Sequence, residues 1–211
     1  MMPITWKEAL ANRKFITHIS FWLAGLAIFV LPLPYYFNNI IQPKPGSLLI
    51  DPFHGFLEPT NWSREIFVLI FVSPALFLLN NFKSPRTMLL TLQCYVSVNL
   101  MRMSTVYLFT LEAPEGIIPL VDPFLTKVVY GNNLFVKDLF FSGHTCTIFI
   151  LFLIEKKRWL KVVLGLSTAA VALFLVWQRV HYTIDILGAI LACILVYQFF
   201  IRSIDKIDWK K

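Results

Sequence analysis

The chain has 211 residues, 57% of them hydrophobic, with 20 Phe, 6 Trp and 7 Tyr, and only 15% are charged. A soluble domain carries about 25% charged residues, so the composition excludes an ordinary soluble protein and fits one membrane bundle rather than two domains. The formal net charge of +7 does not indicate nucleic-acid binding, because the basic residues sit at the ends of apolar segments instead of forming a stripe.

In chain order, residues 1–14 read as a polar, partly amphipathic arm at the cytoplasmic surface, carrying Lys7, Arg13 and Lys14. No stretch there has the short apolar core and small-residue cleavage site of a signal peptide, so residues 15–37 read as a retained first span. Its helical core is expected over 18–35, thinned near the end by Pro32 and Pro34. Residues 38–64 form a loop rich in Pro and Gly that holds Asp51, His54 and Glu58. Asn61-Trp62-Ser63 fits the glycosylation pattern, which has meaning only in a secretory-pathway host.

A second span is expected over 66–79, interrupted by Pro74; extended to residues 62–80 it reaches about 28 Å, near the hydrocarbon thickness. Pro85 precedes a third span at 88–111, which contains the intramembrane cation Arg102. Residues 112–138 form the longest non-spanning stretch, with Pro114, Gly116, Pro119, Pro123 and Gly131, and are expected to rim the site. Glu112, Glu115 and Asp122 within it read as solvated, without metal-ligand spacing. The fourth, fifth and sixth spans are expected at 139–154, 159–177 and 184–201. The catalytic membrane domain is thus residues 15–201, followed by a cytoplasmic tail, 202–211. Cys94, Cys146 and Cys193 all lie in apolar segments, where burial is their ordinary role.

Basic residues give the orientation. Lys7, Arg13, Lys14, Lys83, Arg86, Lys156, Lys157, Arg158, Lys161, Arg202, Lys206, Lys210 and Lys211 place 13 of the 19 Lys and Arg on one side. By the positive-inside rule both termini are cytoplasmic. The starts of the fourth and sixth spans then lie on the extracytoplasmic or lumenal side.

Those starts carry the chemistry. In Phe141-Ser142-Gly143-His144-Thr145, Ser142 is suited to cap the following helix, which puts His144 in the first turn among free backbone N–H groups. A helix start of that kind holds anions, phosphate commonly among them. In His181-Tyr182-Thr183-Ile184-Asp185 the imidazole and carboxylate are four residues apart and share one helix face if the helix begins there. A carboxylate so placed holds one ring nitrogen and leaves the other aimed at a substrate. ATP is cytoplasmic, so a phosphoryl donor at this side is more plausibly a lipid.

These two motifs resemble the third and fourth motifs of the sphingomyelin synthase branch of the type 2 phosphatidic acid phosphatase superfamily. Asp138 matches the aspartate that precedes the first of them, and Arg102-Met103-Ser104-Thr105-Val106-Tyr107 is similar, more loosely, to the family's second motif. The resemblance covers about residues 99–201 and implies an all-α, six-transmembrane helical bundle. It departs from the broader phosphatase group at Leu175, where an arginine usually stands six residues before the second histidine, and in lacking a Lys…Arg-Pro run.

The resemblance implies that His181 attacks phosphorus, that Asp185 orients it, and that His144 protonates the departing alkoxide and later deprotonates the acceptor. The candidate substrate-binding residues are Arg102, Asp138, Ser142, Gly143, Arg179 and Tyr182. Neither a metal nor an organic cofactor is required by that chemistry. The expected partners are a membrane phospholipid and a lipid alcohol, with no nucleic acid. A lipid alcohol as acceptor makes the enzyme a head-group phosphotransferase; water makes it a lipid phosphatase or phospholipase C-like phosphodiesterase. With few cations near the site, a singly charged phosphodiester donor is favoured.

Overall fold

Thr5 and Glu8 open the chain with a capping box, the Thr5 hydroxyl accepting from the Glu8 N–H and the Glu8 carboxylate from the Thr5 N–H at 2.8 Å. The computed structural model describes residues 4–120 and 136–204. Asp122, Pro123, Gly131 and the basic residues Lys206, Lys210 and Lys211 of the expected tail lie outside them. Helix α1 (Trp6–Ala11) ends at Asn12, whose side chain caps α2 (Arg13–Val30) by accepting from Lys14 and Phe15. The expected arm is therefore itself a short helix.

Helix α2 passes through α3 (Leu33–Tyr36) into a π turn, Phe37–Ile41, giving an apolar stretch of 29 residues, Arg13–Ile41. At 1.5 Å per residue this spans about 43 Å, longer than the 18–35 core expected from Pro32 and Pro34. Helix α4 (Ser63–Asn81) runs through Pro74 without a break, so that proline costs a hydrogen bond and not the helix. Helix α5 (Pro85–Leu108) has Ser84 as its cap and Pro85 in the first turn, where a missing N–H is harmless. Then follow α6 (Gly143–Ile154), α7 (Arg158–Trp177) and α8 (Thr183–Ile204).

Four of these, Arg13–Ile41, Ser63–Asn81, Arg158–Trp177 and Thr183–Ile204, are long and apolar enough to cross a membrane. Helix α5 has the length, 24 residues, but is less apolar, because Gln93, Asn99 and Arg102 are turned into the bundle. Helix α6 has only 12 residues, about 18 Å, against roughly 30 Å of hydrocarbon. The fourth expected span, 139–154, is thus shortened at its start, since Ser142 caps a helix that begins at Gly143 and residues 139–142 are not helical. Among the described residues there is no β-strand, only a parallel bridge between Ser47 and Leu111.

Short α6 is the centre of the bundle and packs against α4, α5, α7 and α8. Ile148, Ile150, Leu164, Val171, Leu175, Ala189 and Cys193 are buried around it. Helix α2 lies outside, touching α1 and α5 and leaving Phe21, Ile28 and Leu31 exposed. An apolar surface of this kind suits lipid and not water. The three cysteines are free and buried.

The long helices alternate in direction, which gathers chemistry at one end. At the other end Trp6 Nε1 donates to the Phe82 carbonyl (2.6 Å), Asn81 to Glu155 (2.7 Å), and Lys157 to the Asn80 carbonyl (3.1 Å). Lys83, Arg86 and the cluster from Lys156 to Lys161 follow those same helix ends, so both described ends of the chain share the basic end of the bundle.

Candidate active site

Ser142 is where the first motif becomes a helix. Its φ and ψ are extended, its hydroxyl accepts the Thr145 N–H at 3.3 Å, and its carbonyl accepts the Cys146 N–H at 3.1 Å. The α-helical pattern supplies no acceptor for the Gly143 and His144 N–H groups, which head α6. His144 stands in that first turn, and its Nδ1 is buried without a hydrogen-bond partner.

The second motif forms at the start of α8. His181 Nδ1 meets Asp185 Oδ2 at 3.0 Å, with both side chains essentially fully buried. The same oxygen accepts the Tyr182 N–H at 3.0 Å. This carboxylate fixes the ring orientation and directs Nε2 away from itself. Asp185 Oδ1 has no partner, and neither has Thr145 Oγ1; with His144 Nδ1 they are three of the six unpartnered buried polar atoms among the described residues. Such atoms are rare in folded proteins, and their concentration on two motifs separates this place from the rest of the bundle.

The two motifs are bonded to each other. Ser142 N–H donates to the Asp185 carbonyl at 3.1 Å, and the His144 and His181 rings lie with centroids 6.2 Å apart and planes at 66°. Arg102 reaches the same point from α5. Its Nε donates to the Phe141 carbonyl at 2.9 Å and its Nη2 bonds the Asp138 carboxylate. The guanidinium crosses directly over Gly143, where a Cβ would come within 2.9 Å of both Cζ and Nε. The cation occupies the volume that a side chain at 143 would need. Asp138 is held by Arg102 at this helix start.

Residues 137–203 match the family model described as PAP2 superfamily C-terminal. No curated protein matches the chain. Members of that superfamily are phosphatases and phosphotransferases, and the match supports enzymatic lipid phosphoryl chemistry in a membrane-embedded helical protein. The matched stretch contains Asp138, Ser142, Gly143, His144, Arg179, His181, Tyr182 and Asp185; Arg102 lies outside it.

Two of the expected substrate-binding residues have demanding structural duties beside the two histidine motifs. Arg179, with φ 58°, donates through Nη1 to the Glu115 carbonyl (2.9 Å) and through Nη2 to the His54 carbonyl (2.8 Å). It sits 2.8 Å from the Cβ position of Gly116, whose φ of +72° is one that favours glycine. Tyr182 is buried; its hydroxyl donates to the Glu112 carbonyl at 3.0 Å and accepts the Leu49 N–H at 3.3 Å. Lys137, another cation of this region, donates to Glu112 (2.7 Å) and to the Lys44 carbonyl (2.9 Å). The Glu112 carboxyl is held below its usual range chiefly by that lysine.

Asp51 and His54, which the sequence leaves in a loop, belong to this neighbourhood. Asp51 accepts from both the backbone N–H and the hydroxyl of Thr183, the first residue of α8. It caps that helix from 132 residues away. His54, in a 3₁₀ turn at Pro52–Gly55, lies with Nε2 3.3 Å from the His181 carbonyl and stacks on Tyr182 with centroids 5.8 Å apart. The one local signal was an Asp and a His three residues apart, in a chain with four histidines. A groove of about 360 Å³ lined by Tyr36, Met103, Ser104, Tyr107 and Leu108 opens on the α3 and α5 side, and neither histidine lines it.

Proposed function

We propose that the protein is an integral membrane enzyme that moves a phosphorylated alcohol head group from a glycerophospholipid to a lipid alcohol such as ceramide or diacylglycerol. The observation that carries this reading is the paired imidazoles of His144 and His181, one of them carboxylate-supported, at a helix start crossed by Arg102.

His181 Nε2 attacks phosphorus, the bond to the leaving lipid oxygen breaks, and a phosphohistidine carrying the head group remains. Asp185, on Nδ1, holds the ring and balances the imidazolium charge. His144 gives its proton to the departing alkoxide, then takes one from the incoming hydroxyl as that oxygen displaces the histidine. Arg102 and the first N–H groups of α6 stabilise charge on the non-bridging oxygens. Asp138 positions Arg102, with Ser142 and Gly143 shaping the helix start. Arg179 and Tyr182 act on the substrate through the loops they hold over His181.

Charge supports a diester donor. The terminal nitrogens of Arg179 and the ammonium of Lys137 are engaged by protein oxygens, and Arg102 shares its charge with Asp138. A doubly charged phosphomonoester needs more unshared positive charge than this. We also place six crossings in the bundle, counting α5 and α6, with a catalytic domain at 15–201 between cytoplasmic segments and the histidines on the extracytoplasmic or lumenal face.

A second reading, hydrolysis by a lipid phosphatase or phospholipase C-like route, is favoured by the superfamily itself, which includes phosphatases. The two share the first half-reaction. Purified protein in lipid, given head-group-labelled phosphatidylcholine and phosphatidylethanolamine with and without ceramide or diacylglycerol, separates them. Transfer predicts label in a new lipid only when acceptor is supplied. Water-soluble phosphocholine or phosphoethanolamine released at one rate regardless of acceptor overturns transfer, and activity confined to phosphomonoesters overturns the diester donor.

A further inference from the structure

The loop that carries Asp51 and His54 has two unlike faces. Its polar side chains turn inward, Asp51 onto Thr183 and His54 onto Tyr182 and the His181 carbonyl. Its apolar side chains turn outward: Ile50 is 99% exposed and Phe56 84%, with Phe53 and Leu48 more than half exposed. Asp51 is the sole Asp, Glu, Lys or Arg between residues 45 and 57. Four large apolar side chains displayed within nine residues, without an intervening charge pointing outward, form a surface that water disfavours.

The place of this loop in the bundle says what covers it. It joins two apolar helices long enough to cross a membrane, Arg13–Ile41 and Ser63–Asn81. Beside it, Trp62 and Trp177 lie with ring centroids 5.2 Å apart, and Trp177 Nε1 donates to the Glu58 carbonyl at 2.9 Å. Trp62 stacks on Phe174 with its own Nε1 buried and unpartnered, so it is Trp177, a helix-end tryptophan with a bonded indole N–H, that has the character of the membrane–water boundary. The exposed apolar tips are therefore carried between two apolar helices at the end of the bundle that Trp177 marks, where an apolar surface suits the boundary of head groups and acyl chains.

We propose that residues 48–56 form a lip seated in the adjacent leaflet, with Leu48, Ile50, Phe53 and Phe56 among the acyl chains and Asp51 and His54 held by that seating against the start of α8. The bilayer thereby becomes part of the device that positions His181. The inference needs only membrane integration and not the transfer chemistry, so it stands or falls separately.

The test uses the full chain in phosphatidylcholine nanodiscs. A fluorophore is attached to a single added cysteine, Ile50→Cys or Phe56→Cys, the native cysteines being buried; Phe53→Cys replaces either if it fails to fold. Leu166→Cys, on the exposed face of α7, is the lipid-facing control. Quenching by acyl-chain spin labels that exceeds quenching by iodide at both positions, as at 166, is the expected result. Iodide quenching that dominates puts the lip in water, and protection from both quenchers puts it under protein, a second copy included. Either overturns the inference.

Discussion

The imidazole of His144 stands 6.2 Å, centroid to centroid, from that of His181, and only His181 has a carboxylate on its second nitrogen. The pair is therefore asymmetric, and the proposed mechanism makes His181 the ring that attacks and His144 the ring that carries a proton. His144→Ala should lower steady-state turnover by on the order of 10²–10⁴-fold. It should still label the enzyme from a donor whose leaving group needs no proton, such as a nitrophenyl phosphodiester. Rapid-quench measurement of bound label checks this; equal loss of labelling from activated and natural donors would show that His144 does more than move a proton.

Gly143→Ala should act through Arg102. The new Cβ would lie 2.9 Å from Cζ and Nε of the guanidinium, and overpacking of this sort costs roughly 1–3 kcal/mol. Displacing the cation should also raise KM for lipid. In an Arg102→Ala background the added Cβ should cost little, because nothing remains to collide with. Thermal stability and KM for the four variants of this cycle test the coupling, and strict additivity would refute it.

Acid should loosen the lip before it releases the cap of α8. Burial pushes the His54 imidazole below its ordinary 6.5, and Arg179 adds to this against the opposing Asp51, Asp185 and the His181 carbonyl. A histidine lowered in the fold binds protons more readily when unfolded, so its neutral form stabilises fully above 6.5 and that contribution is lost as pH falls toward the lower folded value. Asp51 behaves differently. Burial raises its carboxyl, but the Thr183 and Phe53 N–H groups, the Thr183 hydroxyl and His54 outweigh this and hold it below 3.8. Its share persists until pH falls below that ordinary value. Hydrogen exchange of the 51–57 peptide, corrected for intrinsic rates, should therefore rise on acidification below 6.5, and His54→Gln should flatten the rise. A flat wild-type profile would contradict it.

The proposed topology rests on the gathering of basic residues at one end. Cysteines at Glu58, beside the motifs, and at Lys157, at the opposite end, should be labelled from opposite faces of sealed membranes, Lys157 from the cytoplasmic face. Labelling of both from one face would remove the arrangement.

What the sequence disclosed was what local rules govern. Ser142 as a cap, His144 in the first turn and Asp185 four residues beyond His181 follow from helix geometry within a few positions, and the structure has all three. The pairing of Arg102 with Asp138 joins residues 36 apart, and the reach of Asp51 to Thr183 joins residues 132 apart. Both arise only after packing, and no spacing in the chain encodes them. Helix α6 is shorter than the expected 139–154 for a related reason: its apolar residues sit at the centre of the bundle, a condition that hydropathy does not distinguish from facing lipid, so hydropathy alone does not mark where the helix begins. Pro74 misled oppositely, since one lost hydrogen bond does not break a helix supported by its neighbours.

The central claim is that His181 carries the head group between donor and acceptor. Enzyme mixed with head-group-labelled phosphatidylcholine in the absence of acceptor, quenched in alkali where phosphohistidine survives, and digested for mass spectrometry tests it directly. A phosphocholine adduct on the peptide containing His181, absent in His181→Ala and discharged on adding ceramide or diacylglycerol, is the expected result. Undiminished turnover in His181→Ala, or an adduct on any other residue, would contradict the claim.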